Sequence, residues 1–351
     1  MTETKWYTGP VYVLVSLALV LSFSLMPATT SIVSAQGATG TFTTGGPPTV
    51  EVVYAPASVT PVTEMDVPVN VTNGDRNLSE LINVTLKFWY DANGGVPNET
   101  EFDNAPLSTQ DGIVIEWTPG GFSGLIANGT SWGNASWVEL TCTQPADLNV
   151  TNGIFWFNFT IGKVARKTAA SAIWQIAAIA TDTTYGVGLG YDAEGVTMNF
   201  YSEVSISPSN PVVNWGVVSP GLAFAEDGNS EESLGANVTY IVNSNYTENV
   251  SSSANWTNTT ASNATLDATG SCGSPQQFSL KANVSGTLPG GNLVDVSPGV
   301  AIASGTITGD GTDDGGSGNN EIANTLWLKL ATSFETATYN GTITYSVASV
   351  A

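Results

Sequence analysis

The chain of 351 residues contains no histidine, only two cysteines, and only eight lysines and arginines together. The absence of histidine excludes Ser-His-Asp and Cys-His catalytic pairs, histidine general bases and every zinc site that needs imidazole. Two cysteines are too few for a four-thiolate metal site. Several common enzyme classes are therefore excluded by composition alone.

Charge is also scarce, since charged residues make up 11% of the chain, against roughly one quarter in typical globular proteins. The net charge is −22, so nucleic acids and anionic membrane surfaces would be repelled and are not expected as partners. The hydrophobic share of 42% is that of a globular chain, and the length allows two domains with cores of their own.

The first 35 residues have the features of a secretory signal peptide. Lys5 lies in a short polar start, Val11–Met26 form a continuous apolar stretch, and Val33–Ala35 supply small residues for cleavage. The apolar stretch is short for a membrane span, and an uncleaved N-terminal anchor is the alternative. Residues 36–49 are expected to form a flexible leader or, through the sequence TFTT, a strand donated to a neighbour's sheet.

From Val50 onward, short runs alternate between apolar and polar residues and are separated by turn-forming Gly, Asn, Asp, Ser and Pro. Without a long helical period, this pattern predicts an all-β protein built from sandwiches rather than from βαβ units. The predicted strands are Val50–Ala55, Met65–Thr72, Ile82–Tyr90, Ile113–Pro119, Ser136–Cys142, Gly153–Thr160 and Ala172–Ala180, and then Asn214–Val218, Ala236–Val242, Phe278–Gly286, Ala301–Thr308, Asn324–Ala331 and Tyr339–Ala348.

The proline-rich stretch 203–220 divides the chain into two blocks of similar texture. We expect two tandem Ig-like β-sandwich domains, at 50–202 and 221–351, with 203–220 as the hinge and the first strand of the second block. The final strand is predicted to lie inside a sheet, paired with Leu326–Leu330.

Three segments have less regular patterns. The Ala-rich segment 164–180 fits a helix or a strand, and a strand would place Trp174, Ile176, Ala178 and Ala180 on one face. The tracts 245–269, rich in Asn, Ser and Thr, and 309–320, rich in Gly and Asp, predict exposed loops.

Two parts of the chain resemble a known family. The sequence FNFTIGKVAR at Phe157–Arg166, followed by Trp174–Asp182, resembles exported archaeal surface proteins of the methanogen type, which have Ig-like β-sandwich domains. The block that begins with VVNWGVVSPG and continues through NTLWLKL to YNGTITYSVA resembles their C-terminal sandwich. The resemblance implies a secreted or envelope-associated protein and supplies no catalytic residues.

Sixteen Asn-x-Ser/Thr sequons are spread over both blocks. In VNVT, INVT, LNVT and FNFT, Asn and Thr share the polar phase of a strand, so a glycan there would point to water. The alternative is that an Asn- and Thr-rich surface creates some sequons incidentally. The candidate glycosylation sites are Asn70, Asn77, Asn83, Asn98, Asn128, Asn134, Asn149, Asn158, Asn237, Asn245, Asn249, Asn255, Asn258, Asn263, Asn283 and Asn340.

One acidic loop approximates a calcium-binding pattern, with candidate ligands at Asp310, Thr312, Asp314 and Glu321. Thr312 stands where an acidic or amide ligand is usual, and no helices are predicted to flank the loop, so a solvated loop is the alternative. The acidic residues between Asp91 and Asp103 form a weaker cluster. No cofactor is required by these patterns, and Ca²⁺ is the one candidate ligand.

Trp132 and Trp137 lie in a turn-rich segment and are the candidate exposed aromatics for stacking on a sugar, although a core position is the usual one for tryptophan. Cys142 and Cys272 either form a disulfide or remain separate buried thiols. Lys163, Arg166 and Lys167 form either a contact for an acidic neighbouring copy or a solvated turn.

These features favour a non-enzymatic secreted glycoprotein at the cell surface, serving as a structural subunit of an extracellular filament, sheath or surface layer, or as an adhesin. Its expected partners are copies of itself or other envelope proteins. The alternative is a carbohydrate-binding surface protein that uses aromatic side chains of the first block. A glycosidase would need two facing carboxylates, and no pair is marked out.

Overall fold

The computed structural model describes residues 45–53, 55–108, 110–125, 137–192, 194–206, 212–224, 232–284, 288–307 and 322–350. Over these residues the protein is all-β, as the alternating runs predict, and its chain from Gly45 onward forms one compact unit. No helix in the described ranges is long and apolar enough to cross a membrane. The proposed signal peptide and the TFTT sequence lie outside these ranges, and the Ig-like domain division remains a prediction.

Eleven strands lie in the first part of the described chain, together with a 3₁₀ turn at Leu78–Glu80 and one short helix, α1, at Glu99–Asp103. The strands are β1 (Thr49–Val52), β2 (Ser58–Val59), β3 (Glu64–Thr72), β4 (Leu81–Asp91), β5 (Gly112–Thr118), β6 (Gly121–Leu125), β7 (Val138–Glu139), β8 (Asn152–Thr160), β9 (Ile173–Asp182), β10 (Gly186–Tyr191) and β11 (Thr197–Met198).

These strands form a four-stranded sheet in the order β1-β3-β8-β7, a five-stranded sheet in the order β10-β9-β4-β5-β6, and a parallel pair of β11 with β2. Their inner faces share one hydrophobic cluster, which includes Val67, Phe88, Trp117, Phe157 and Trp174. A separate small cluster packs Trp89 and α1 residue Phe102 against Ala177 on the other face of the five-stranded sheet.

The remaining strands are β12 (Ser202–Ile206), β13 (Glu232–Val242), β14 (Tyr246–Ser252), β15 (Asn255–Trp256), β16 (Ala264–Leu266), β17 (Gln277–Asn283), β18 (Val300–Gly305), β19 (Ile322–Leu330) and β20 (Ile343–Ser349). They form a six-stranded sheet in the order β12-β13-β19-β17-β16-β15 and a three-stranded sheet in the order β18-β14-β20. A second hydrophobic cluster, which includes Tyr240, Val250, Phe278 and Leu328, lies among them.

Period-2 alternation predicts the buried faces of the long strands correctly. In β3 and β8 the apolar residues Val67, Val69 and Phe157 are buried, while the polar residues Asp66, Asn70 and Asn158 lie on the outer face. The Ala-rich segment is part of the strand β9 from Ile173 onward, because Trp174 and Ile176, with the alanines in phase with them, fill the core of the first part. The strand alternative for this segment is therefore confirmed.

Pro68 occupies a strand that has neighbours on both sides, a position that proline normally avoids because it cannot donate a ladder hydrogen bond. Its carbonyl accepts a hydrogen bond from Val53 N at 2.9 Å, at the point where β1 ends. The N–H that proline lacks would have pointed to the same side. The end of β1 therefore makes proline tolerable here.

Three predictions about the second part are wrong. The final strand, β20, pairs with β14 at the edge of the three-stranded sheet, and not with β19. The tract 245–269 contains the strands β14, β15 and β16, because Tyr246 and Val250 turn into the core while polar residues occupy the alternate positions. The segment Asn214–Val218 is not a strand, although Trp215 is buried in the second cluster.

Candidate functional site

The sequons of β3 and β8 have the phase that alternation predicts. Asn70 and Thr72 lie on the outer face of β3, and Asn158 on the outer face of β8, with buried valines and phenylalanines between them. The sequon at Asn83 departs from this phase, because a register shift between Leu81 and Asn83 places Ile82 48% exposed and buries Thr85. A local bulge thus decides which face the side chain takes.

Six sequon asparagines have exposed side chains, and they are distributed over both parts of the described chain. Asn98 caps α1 through its Oδ1, which accepts a hydrogen bond from Glu101 N at 3.0 Å, and this leaves the other end of the amide toward solvent. Asn255 lies on β15, at the edge of the six-stranded sheet. Two residues further along, Thr257 forms an isolated antiparallel β-bridge with Asn340, another exposed acceptor. The exposed acceptors are Asn98, Asn149, Asn245, Asn255, Asn263 and Asn340.

Four other sequon asparagines already use the nitrogen to which a glycan would be attached. Asn83 Nδ2 donates a hydrogen bond to Glu116 Oε1 at 2.6 Å, and Asn158 Nδ2 donates one to Thr141 O at 2.8 Å. Asn249 Nδ2 donates to Thr247 O at 3.1 Å, and Asn258 Nδ2 donates to Ser262 O at 2.9 Å. Asn249 is in addition only 5% exposed, on the central strand β14. These four positions are poor acceptors in the folded chain.

The remaining sequons have intermediate environments. Asn70, Asn77, Asn237 and Asn283 are half-buried, and Asn128 and Asn134 lie outside the described residues. Asn77 caps the 3₁₀ turn in a reciprocal arrangement with Glu80.

The proposed calcium ligands Asp310, Thr312, Asp314 and Glu321 lie outside the described residues. The weaker acidic cluster has other roles, because Glu101 accepts a hydrogen bond from Asn98 N at 3.2 Å and Asp91 accepts one from Asn93 N at 2.9 Å. In the described part of the chain, no group of three or more acidic or cysteine side chains is arranged to hold a metal ion.

Trp137 is 2% exposed, which corrects the expectation that it offers a sugar-stacking face. Its ring lies 6.0 Å from the Phe88 ring, edge to face, and 5.8 Å from the Trp174 ring. It immediately precedes the short strand β7 and belongs to the hydrophobic cluster of the first part. Trp132 lies outside the described residues, and Trp156 on β8, at 41% exposure, is the tryptophan that the structure places at the surface.

Both cysteines are free thiols, so the disulfide alternative between Cys142 and Cys272 is wrong for this structure. Asn158 N donates a hydrogen bond to Cys142 Sγ at 3.3 Å, and Cys272 Sγ contacts Lys329 O at 3.8 Å. Burial raises the pKa of both thiols, that of Cys272 to about 11. Neither thiol is therefore a ready nucleophile near neutral pH.

A buried asparagine joins the strands of the first part to those of the second. Asn243, which follows β13, donates hydrogen bonds from Nδ2 to Ala165 O and to Asn199 O, both at 2.9 Å. Its Oδ1 accepts one from Tyr201 N at 2.8 Å, and its backbone carbonyl accepts one from Lys167 N at 2.8 Å. Every polar atom of this side chain therefore has a partner, and these bonds tie the backbone at Ala165, Asn199 and Tyr201 to the end of β13.

The basic residues near the junction bind groups of their own chain. Lys163 forms an ion pair with Glu203 at 2.9 Å, and Lys167 Nζ donates to Ser349 Oγ at 2.7 Å. Arg166 forms an ion pair with Asp111 at 2.8 Å and stacks over the Tyr90 ring. These contacts replace a purely solvated turn, and a contact with an acidic neighbouring copy remains a prediction.

Sequence reasoning missed a carboxylate in the core of the second part. Glu248 on β14 is fully buried, and Tyr240, Tyr246 and Tyr345 are buried near it. The pKa values of Tyr240 and Tyr345 are raised well above their ordinary value, mainly by burial and secondly by the negative charge of Glu248. The alternation of β14 could have revealed this residue, since Tyr246, Glu248 and Val250 share one phase.

Comparison with known proteins adds no identification. No protein-family model matches the chain, and no curated protein matches it.

Proposed function

We propose that this protein is an exported, N-glycosylated structural subunit of an extracellular assembly of the archaeal cell surface, such as a filament, sheath or surface layer, or an adhesin of that surface. The observation that carries the proposal is the exposure of six sequon asparagines over both parts of an all-β chain. Two further observations support it: a low content of charged residues, and a junction held by the saturated hydrogen bonds of Asn243.

The host supplies the chemistry of attachment. The sugar comes from a lipid-linked oligosaccharide, whose anomeric carbon forms a bond to the asparagine Nδ2 while Nδ2 loses a proton and the phosphate carrier leaves. An asparagine in water accepts the glycan without cost to the core. A glycan on Asn249 would prevent β14 from packing, so the folded protein carries none there.

Site-resolved mass spectrometry of glycopeptides tests the first half of the proposal, with the protein made in a host that N-glycosylates. We expect occupancy at the exposed acceptors and none at Asn249. A matched pair of variants gives an independent reading, because Asn255→Gln should remove one glycan mass from the intact chain and Asn249→Gln should remove none. Complete absence of glycans from the secreted protein would refute the glycoprotein assignment.

Electron microscopy with sedimentation tests the second half, using the glycosylated protein in Ca²⁺ and in chelator. Ordered fibres or sheets are the expected result, and dispersal on chelation would also support calcium binding at Asp310, Thr312, Asp314 and Glu321. Monomers under every condition would refute self-assembly as the main function.

Carbohydrate binding is the second candidate function, and the exposed ring of Trp156 is the observation that favours it. A screen of the unglycosylated protein and its Trp156→Ala variant against immobilised glycans tests this candidate. Binding that is lost in the variant would support it.

A further inference from the structure

An apolar patch interrupts the polar outer face of the four-stranded sheet. We call it the Trp156 patch, and it consists of Val53, Ile154 and Trp156, which are 49%, 40% and 41% exposed and lie around Pro68, which is itself buried. Every other tryptophan within the described ranges is buried. Such a cluster of exposed apolar side chains around a tryptophan offers a surface that a covering group can bury.

Strand pairing places the sequon asparagine Asn70 beside this patch. Asn70 lies directly opposite Ile154, and Pro68 lies directly opposite Trp156. The backbone of Trp156 bonds to Thr143, so the outward residues of β3 and β8 form non-hydrogen-bonded pairs, in which opposite side chains approach most closely. Diagonal neighbours such as Asn70 and Trp156 are separated by about 7–8 Å, within the reach of an aromatic side chain.

The amide of Asn70 is oriented by a neighbour on β8. Asn152 Nδ2 donates hydrogen bonds to Asn70 Oδ1 at 3.0 Å and to Thr72 Oγ1 at 2.6 Å. Asn70 and Thr72 thus both accept hydrogen bonds through their side-chain oxygens. The Nδ2 atom of Asn70 makes no hydrogen bond to the described residues. The other sequon on this face differs, because Asn158 Nδ2 is bound to Thr141 O.

We propose that the first sugar rings of an N-glycan on Asn70 pack against the Trp156 patch. The inference rests on the proposed function, since it requires that the chain is N-glycosylated. The apolar C–H face of a pyranose ring stacks on an indole ring, and the hydroxyl groups at its edge remain available for hydrogen bonds. Exposed carboxylates of Glu51 and Asp66 border the patch on β1 and β3 and accept such bonds.

In this arrangement the glycan is part of the folded surface and does more than keep the surface solvated. The glycan shields an apolar patch that would otherwise be open to other chains. It also covers the outer face of β3 and β8, which carries the sheet's largest exposed side chain.

Hydroxyl-radical footprinting with mass spectrometry tests the proposal on the full glycosylated chain. We expect Trp156 to be oxidised at least threefold more slowly in the parent protein than in the Asn70→Gln variant. Thr72→Ser retains the sequon and should retain the protection. Asn98→Gln removes a glycan from α1 and should leave Trp156 oxidation unchanged, while slow oxidation of buried Trp137 in all variants reports that each is folded.

The outcomes separate this inference from the function on which it rests. An empty Asn70 alongside an occupied Asn98 would overturn the inference alone, and absence of glycans at every sequon would overturn both. Equal oxidation of Trp156 with and without an Asn70 glycan would overturn the inference. Protection that persists in Asn70→Gln and grows with protein concentration would show that a second copy covers the patch, which would also overturn it.

Discussion

The junction between the two parts of the chain gives the sharpest prediction about stability. Replacing Asn243 by alanine removes the partner of three backbone groups, the carbonyls of Ala165 and Asn199 and the N–H of Tyr201. Three lost hydrogen bonds at about 1 kcal/mol each give a loss of about 3 kcal/mol in the free energy of unfolding, and more where the orphaned groups stay dry. Asn243→Asp should cost more, because it removes both donors and directs a charge at two carbonyl oxygens.

Urea unfolding of the unglycosylated chain, followed by fluorescence and circular dichroism, measures this loss. For a chain of this size, with a slope of about 3 kcal/mol per molar urea, the midpoint of Asn243→Ala should fall by about 1 M. Asn263→Ala is the matched control, since its side chain is exposed, and its midpoint should not move. The reasoning is refuted if Asn243→Ala and Asn243→Asp both behave like the control.

Three further predictions concern the core, the acid stability and the thiols. Trp137→Ala should lower the free energy of unfolding by about 3–5 kcal/mol because it empties a site among Phe88, Phe159 and Trp174, whereas Trp156→Ala in the unglycosylated chain should cost about 1 kcal/mol or less. Asp267 is buried, which by itself would raise its pKa, but hydrogen bonds from Thr269, Cys272 and Ser271 lower the pKa to about 2. The stability that this carboxylate contributes is therefore complete above about pH 4 and is lost as the pH falls toward 2, and Asp267→Asn should flatten stability measured by urea unfolding across that window. Both cysteines should titrate with a thiol reagent in denaturant, and both should react slowly in the native protein at pH 8 because burial raises their pKa values.

Each of these predictions has an outcome that contradicts it. Equal losses for the two tryptophan variants would mean that Trp137 is not part of the core. A pH dependence that is unchanged in Asp267→Asn would assign the acid sensitivity to other carboxylates, such as Asp182, whose pKa is also lowered. Fewer than two titratable thiols in denaturant would show a disulfide in the protein as it is made.

The sequence predicts the fold class correctly because its signal is local. Alternation along β3, β8 and β9 is a property of adjacent residues, and burial of one face follows from it without reference to any partner strand. In two of the four strand sequons, VNVT on β3 and FNFT on β8, the same alternation correctly predicts that valine and phenylalanine face inward and that asparagine and threonine face outward.

Errors arose where burial depends on distant parts of the chain. The tract 245–269 has the composition of a loop, yet β14 is the central strand between β18 and β20, and this pairing requires residues at least fifty positions away. Trp137 lies in a segment rich in turn-forming residues, but its neighbours Phe88 and Trp174 arrive from two other strands.

The candidate site shows the same division. Sequon positions are visible in the sequence, because the motif spans three residues. Whether an asparagine can accept a glycan depends on what its Nδ2 contacts: Asn158 and Asn249 bind backbone carbonyls, while Asn98 and Asn255 are exposed. Only strand pairing brings Asn70 beside Trp156, two residues that are far apart in the chain.

By itself, the sequence determined that this protein is all-β, acidic, without histidine chemistry and rich in potential glycan acceptors. These properties depend on composition and on contacts between near neighbours. The tertiary structure decided the partner of β20, the burial of Trp137 and Glu248, the free state of both cysteines and the closure of the junction around Asn243. Each of those outcomes depends on which distant strands meet, and no short stretch of the chain contains that information.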